Sequence, residues 1–201
     1  MNKNINIYNS YKNVISKKYL LIYAIYFSFF ILNGPLERLL SVLVISKGYS
    51  EVTYGVILSI INLIHIVLPG IVGVLASLNN SYTIAGFAMI LAIIGSIGIA
   101  INSPSYIFIF VVVLVCSRTI FNYSLGNTIN YIVEEESRGK YFALRDFFLF
   151  GAISIGLILG SKYVNRFSID SLYKYGGYFF LIPLLFIYRL HKYQKRIDTV
   201  K

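Results

Sequence analysis

Residues 19–45 read YLLIYAIYFSFFILNGPLERLLSVLVI, an apolar run with two charged residues, Glu37 and Arg38. A helix needs about 20 apolar residues to cross the hydrocarbon layer of a bilayer, so this run is long enough to span a membrane. The basic residues before it resemble the start of a signal peptide, but the apolar stretch is too long and no small-residue cleavage site follows. We therefore interpret it as a retained membrane span.

The composition of the whole chain supports the same interpretation. Of its 201 residues, 57% are hydrophobic and 13% are charged, whereas soluble proteins carry about 25% charged residues. Its 18 Tyr and 15 Phe argue against a disordered chain, because disordered segments contain few aromatic residues. One cysteine and two distant histidines exclude a disulfide framework and make a metal site unexpected. We expect an integral membrane protein without a metal or cofactor.

Six segments are apolar and long enough, or nearly so, to be membrane helices. They lack the strict alternation of barrel strands, so the predicted fold class is an all-α membrane protein with six transmembrane helices. The predicted spans are about Tyr19 to Ile45, Val52 to Leu78, Tyr82 to Ile101, Tyr106 to Val133, Tyr141 to Tyr163 and Tyr175 to Tyr188.

The basic residues predict the orientation of these spans. With six spans, both termini lie on one side, and eleven Lys and Arg residues fall there against three on the other side. Cytoplasmic flanks carry an excess of Lys and Arg, so both termini should be cytoplasmic, with the spans in the cell membrane. The predicted organisation is a basic tail over 1–18, a six-span domain over 19–188 and a second basic tail over 189–201. A basic surplus can also indicate nucleic-acid binding, but its position beside the spans favours membrane orientation.

Three ionisable residues inside the spans are the first candidates for a functional site. Glu37 and Arg38 follow Pro35 late in the first span, and Arg118 lies in the middle of the fourth. Charges within a membrane are costly and mark functional positions. If instead the first span ends at Pro35, Glu37 is interfacial; we favour the longer span because residues 39–45 are too apolar for a free loop. The structural alternative for Glu37 and Arg118 is a salt bridge that only holds helices together, and these two are the better-matched partners.

Polar residues on three spans extend the candidate pathway. In the fourth span a polar stripe recurs every four residues, so its members share one face of a helix. The members are Arg118, Asn122, Gly126 and Asn130. Such a stripe faces a bundle interior or a water-filled cavity; the structural alternative is interhelical hydrogen bonding. Besides Glu37 and Arg118, the pathway candidates are Asn33, Asn62, His65, Asn122 and Asn130. In the fifth span, Ala152, Gly156 and Gly160 have the spacing that allows close helix approach.

No enzyme signature is present in the sequence. It contains no Walker loop, no Gly-x-Ser-x-Gly and no His-Glu-x-x-His, so neither an ATP-driven engine nor these hydrolase chemistries are indicated. A single histidine within the spans makes an intramembrane catalytic set improbable. We therefore expect a protein that is not an enzyme.

Four short motifs, in order along the chain, resemble the amino-terminal half of a major facilitator superfamily transporter. They are Gly48 to Gly55 before the second span, Gly73-Val74-Leu75-Ala76 at its end, Leu114-x-x-x-Arg118 in the fourth span and Gly156 to Ser161 in the fifth. The second motif departs from the family: Ser77 and Leu78 stand where the family has Asp and Arg. The fourth lacks the proline and the second glycine of the exporter signature.

The resemblance implies a secondary transporter of small molecules, exporter or importer, with or without coupling to protons. Arg118 would bind an anionic group or modulate a proton carrier, and Glu37 would be the carrier. Family members have two six-span halves with the site between them, so this chain resembles one half. It would act as a homodimer, pair with a separately encoded half, or be a truncated, inactive product. The rival function is a non-transporting membrane accessory or immunity-type protein that binds a partner's spans.

Overall fold

The computed structural model describes the backbone of residues 17–78, 81–101 and 106–198, and within these ranges the side chains of 17–18, 77–78, 129–132 and 193–198 are not described. The described chain is helical and contains no strand. Its helices are α1 (Lys17–Arg38), α2 (Leu40–Ser46), α3 (Glu51–Leu78), α4 (Ser81–Ile101), α5 (Ile107–Ile132), α6 (Arg138–Arg166), α7 (Ile169–Phe179) and α8 (Leu181–Asp198). A 3-10 turn, Glu135–Ser137, precedes α6.

Five helical segments in the described ranges are long and apolar enough to cross a membrane. They are Tyr19–Arg38, Glu51–Ala76, Ser81–Ile101, Ile107–Thr128 and Glu135–Arg166. They correspond to the first five predicted spans and support a multi-pass membrane protein.

The sixth predicted span is not a single helix. It is divided between α7 and α8 by a turn at Phe180, and neither helix is among the candidate spans. Pro183 explains the division, because a proline ring clashes with the carbonyl four residues earlier, which is that of Phe179. One uninterrupted helix over Tyr175 to Tyr188 is therefore not confirmed. Helix α8 also continues to Asp198, ten residues beyond the predicted end.

The first predicted span continues as a helix through Pro35 and is interrupted at Leu39. Pro35 lies inside α1, and its carbonyl still accepts a 2.9 Å hydrogen bond from the Leu39 amide. The Tyr173 hydroxyl of α7 donates to the carbonyl of Leu36, just before the interruption. Helix α2 then extends the path to Ser46. The prediction that Glu37 lies within a helix is confirmed. The prediction of one uninterrupted helix to Ile45 is not confirmed.

Small residues bring α6 against α1, as their spacing predicts. Ala152, Gly156 and Gly160 are all buried in α6. A side chain at Gly156 would lie 2.3 Å from the carbonyl oxygen of Ile31, and one at Gly160 would lie 2.6 Å from Pro35. Only glycine allows the two backbones to approach this closely.

The most peripheral long helices are α3 and α6. Helix α3 packs mainly on α5, and α6 packs mainly on α1. Only 17% of the residues in the apolar windows of α3 and α6 are buried, against 56% for α1. The central layer is formed by α1, α4, α5 and the α7–α8 pair.

An ion pair closes the end of the bundle where α2 leads into α3, which we call the Lys47 end. The Lys47 ammonium lies 2.8 Å from the Asp170 carboxylate at the start of α7. Asp170 lies in the first turn of a helix that Ser168 caps, where a negative charge is favourable. The pair therefore joins the first two helices to the last two.

Candidate functional site

Three ionisable residues on three helices meet in the interior because they lie at similar depths. Glu37 is nine residues before the end of α2, Arg118 eleven residues into α5 and His65 fourteen residues into α3. At 1.5 Å per residue, these positions are about 14 to 21 Å from the Lys47 end. The antiparallel helices thus bring together residues that are far apart in sequence.

Arg118 and Glu37 form a direct ion pair between α5 and α1. The Arg118 Nη1 donates to Glu37 Oε2, and the two side chains are 25% and 19% exposed. His65 lies beside the pair, with its Nε2 3.9 Å from Glu37 Oε1. The predicted pairing of Glu37 with Arg118 is confirmed. We call Glu37, His65 and Arg118 the charged cluster.

Aromatic rings form one wall of the charged cluster. The Arg118 guanidinium lies 5.6 Å from the centroid of the Phe30 ring, within the range of a cation–π contact. Phe30 is stacked on Tyr26, with centroids 6.1 Å apart. The guanidinium of Arg145 lies 5.8 Å from the other member of this pair, Tyr26. Two arginines therefore lie along one aromatic column, which limits the positions that Arg118 can adopt.

A cavity of about 200 Å³ opens beside the cluster. It is lined by His65, Arg118, Thr119, Asn122 and Tyr123. Its volume is below the roughly 300–1,000 Å³ of pockets for drug-sized ligands. It is large enough for several waters or a small polar solute, since one water occupies about 30 Å³ of liquid.

Asn33 lies one turn from Glu37 on α1 and is more deeply buried than the charges. Its side chain is 1% exposed, and neither its amide nitrogen nor its oxygen has a hydrogen-bond partner. A small cavity of about 10 Å³ is lined by Asn33 and Glu37, with apolar side chains around them. Unpaired buried amides are costly, and this volume is close to the lower limit for one water.

Most other polar side chains of α5 are satisfied within their own helix. The hydroxyl of Ser117 donates to Leu114, that of Ser124 to Phe121 and that of Thr128 to Ser124. All three serine and threonine side chains are buried. They have a structural role, whereas Arg118 and Asn122 face the cavity.

Two predicted pathway residues are not placed in this cluster. Asn62 is one turn from His65 on α3 but is exposed, and it does not line the cavity of His65 and Asn122. Asn130 lies in α5, but its side chain is outside the described part of the chain. Gly126, one turn from Asn122 on the predicted stripe, has open space at its Cβ position.

Sequence reasoning missed three contributors to the site: Thr119, Tyr123 and Phe30. Thr119 bonds His65 and Tyr123 lines the cavity. The sequence signal that could have identified Thr119 was its position next to Arg118 in the fourth span. Phe30 continues a stripe with Asn33 and Glu37 at spacings of three and four, which place residues on one helix face.

Comparisons with protein-family models, with curated proteins and with solved structures find no match to this chain.

Proposed function

We propose that this chain is a secondary membrane transporter for a small molecule, with the charged cluster as its substrate and proton site. The observation that carries the proposal is a partly exposed ion pair between α1 and α5 beside an open polar cavity. Water that enters the cavity can compete for the donors of Arg118, so this pair can exchange partners in a way that a fully enclosed pair cannot. Charges that instead line a cavity in a membrane protein are typical of solute and proton pathways.

The chemistry of the cavity favours an anionic solute. Arg118 offers a planar set of donors that matches carboxylate and phosphate groups, and Glu37 now occupies one of its nitrogens. Asn122 adds an amide on the same wall. A solute anion could take the place of Glu37 at Arg118, and protonation of Glu37 would make that exchange less costly. This links anion binding to proton binding.

A second helical unit would complete the site. The cavity is open on one side, and α3 and α6 expose most of their surfaces. An assembly of two units would enclose Arg118 and Glu37, as in a major-facilitator-like bundle made of two six-helix halves. Under this proposal the unit lies in the cell membrane with both termini cytoplasmic, and its partner is a second copy or another six-helix half.

Flux in proteoliposomes tests the transport proposal. The purified chain would be reconstituted with an internal pH-sensitive dye, and short carboxylates, acidic amino acids and inorganic phosphate would be added outside. We expect at least one anion to produce a dye response that protein-free liposomes lack. Glu37→Gln should abolish the proton movement while the protein stays folded. Lys162→Gln, an exposed position on α6, is the matched control.

The oligomeric state provides the second measurement. We expect a stable dimer in nanodiscs by light scattering. A folded monomer that gives no anion-dependent signal would contradict transport by this chain alone. Coupled transport at the wild-type level in Glu37→Gln would contradict the role of Glu37.

One observation favours the rival function, a non-transporting accessory or immunity-type protein. Helix α3 exposes Asn62 and has open space at Gly55, Gly70 and Gly73, and small and amide residues are typical of helix–helix contacts in membranes. The substitution Arg118→Ala separates the two functions. Loss of flux with assembly intact supports transport, and loss of assembly supports the accessory role.

A further inference from the structure

His65 lies between two polar groups that come from different helices. Its Nδ1 is 2.9 Å from the hydroxyl oxygen of Thr119 on α5. Its Nε2 is on the side of Glu37 of α1, at 3.9 Å from Oε1. Only the first distance is that of a hydrogen bond, so the Thr119 contact determines how the imidazole is held.

Thr119 uses its single hydroxyl proton within its own helix. Its Oγ1 donates to the carbonyl of Val115 at 3.2 Å, and its side chain is buried, with 2% exposed. A hydroxyl has one proton and two acceptor lone pairs. The Val115 carbonyl can only accept, so both contacts of Thr119 are hydrogen bonds at the same time only when its oxygen accepts from Nδ1–H of His65.

This assignment leaves Nε2 without a proton in the neutral ring, because neutral imidazole has one N–H. The basic nitrogen then faces the carboxylate of Glu37. We propose that Nε2 of His65 is a second proton-binding atom of the cluster, beside the carboxylate of Glu37, and that Thr119 is the positioning residue that presents this nitrogen to Glu37. The inference deepens the proposed transport function, but the assignment of the tautomer does not depend on it.

The proton step conserves atoms and charge. A proton from water in the cavity binds the lone pair of Nε2, and the ring becomes an imidazolium with a hydrogen on each nitrogen. Nδ1–H keeps its bond to Thr119, while Nε2–H becomes a donor directed at Glu37. When the proton returns to water, the ring regains the Nδ1–H form.

Protonation at Nε2 would change the partners of Glu37. Among the described residues, the charged or titratable groups around His65 are Glu37 from α1 and Arg118 and Tyr123 from α5. Glu37 then lies between two cations, so the guanidinium is less strongly held and its donors can bind an anion. Proton binding at His65 and anion binding at Arg118 would be thermodynamically linked.

Nitrogen-15 NMR of histidine-labelled protein in nanodiscs tests the proposal directly. The chain has two histidines, His65 and His191, so in the His191→Gln variant every histidine signal comes from His65. In alkaline buffer we expect a protonated Nδ1 and an unprotonated Nε2, and in acidic buffer two protonated nitrogens. Thr119→Ser keeps the hydroxyl and should preserve this pattern. Thr119→Val removes the hydroxyl and should move the neutral ring toward the Nε2–H tautomer.

Two results would overturn the proposal. One is an Nε2–H neutral tautomer in the wild-type protein. The other is an unchanged tautomer in folded Thr119→Val. If Thr119→Val fails to fold, the wild-type and Thr119→Ser spectra still decide. Anion-driven flux is measured on the same variants in proteoliposomes. Correct tautomers without any flux would count only against transport, and flux with the wrong tautomer would count only against this inference.

Discussion

Gly156 of α6 lies directly against the main-chain carbonyl of Ile31 in α1. That carbonyl would bond the amide of residue 35 in a regular helix, but Pro35 has no amide hydrogen. The proline thus removes the usual helical partner of this carbonyl, and the neighbouring helix covers it with a residue that has no side chain. Proline and glycine together define the α1–α6 contact.

Replacing Gly156 by alanine should destabilise the protein. The new Cβ would lie 2.3 Å from the Ile31 oxygen, and overpacking of this kind costs about 1–3 kcal/mol. Gly151→Ala on the same helix is the control, because nothing lies within 4 Å of its Cβ position and alanine favours a helix by about 1 kcal/mol. Equilibrium unfolding in bicelles measures both changes. Equal stability of the two variants would contradict the close contact.

The ion pair of Glu37 with Arg118 predicts strong coupling between their substitutions. Glu37→Gln and Arg118→Gln should each lower the free energy of unfolding by about 1–3 kcal/mol, the cost of leaving a partly buried polar group unsatisfied. The double variant should lose less than the sum of the two. A double-mutant cycle measures the coupling, which is about 0.5–3 kcal/mol for residues in contact; additive losses would show that the pair does not form.

Asn33→Leu should separate stability from function. The Asn33 amide is buried and unpaired in the described structure, and removing such a group recovers about 1–3 kcal/mol. We expect a more stable protein with reduced anion-dependent flux. Equilibrium unfolding in bicelles measures the stability, and the proteoliposome assay measures the anion-dependent flux. A less stable variant would instead indicate that the amide is satisfied, for example by a water in the small cavity beside Glu37.

Two positions on α5 should differ in their effects on transport. Asn122 lines the cavity, so Asn122→Leu should reduce flux about tenfold, the effect of losing roughly 1.4 kcal/mol of interaction with the solute. Ser124 bonds its own helix, so Ser124→Ala should leave flux within about twofold. Both are measured in the same proteoliposome assay. A larger loss at Ser124 than at Asn122 would place the pathway on the other side of α5.

The pair of Lys47 with Asp170 predicts a small, salt-dependent contribution. Partly exposed ion pairs contribute about 0.2–1 kcal/mol and are screened by salt. Lys47→Gln should therefore lower stability at low ionic strength and have less effect at about 1 M salt. Lys174→Gln, an exposed lysine on α7, serves as the comparison. The interpretation fails if both substitutions have the same effect and the same salt dependence.

The sequence predicts the membrane helices well because apolar length is a local property. It also predicts the partnership of Glu37 with Arg118, since few charges are available inside the spans and a buried charge requires an opposite one. The division at Phe180 follows from Pro183. Hydropathy does not detect this turn, because the residues on both sides of Phe180 are apolar. Local composition gives the elements, whereas interruptions depend on single residues.

The position of His65 could not be predicted in the same way. Its link to Thr119 depends on the rotation of α3 against α5, and a sequence gives no measure of that rotation. Asn62 shows the same limit, because it lies one turn from His65 yet points to the exterior. Helical spacing places both on one broad face, and only packing distinguishes them.

The peripheral position of α3 has a consequence for how the cluster can respond to a solute. Glu37 and Arg118 belong to helices of the central layer, but His65 belongs to a helix that packs mainly on α5. A small tilt of α3 would change the 3.9 Å separation of His65 and Glu37 and leave the arginine pair in place. The distance between His65 and Glu37 therefore depends on one of the two least buried long helices of the described chain, whereas the Glu37–Arg118 pair depends on the central layer.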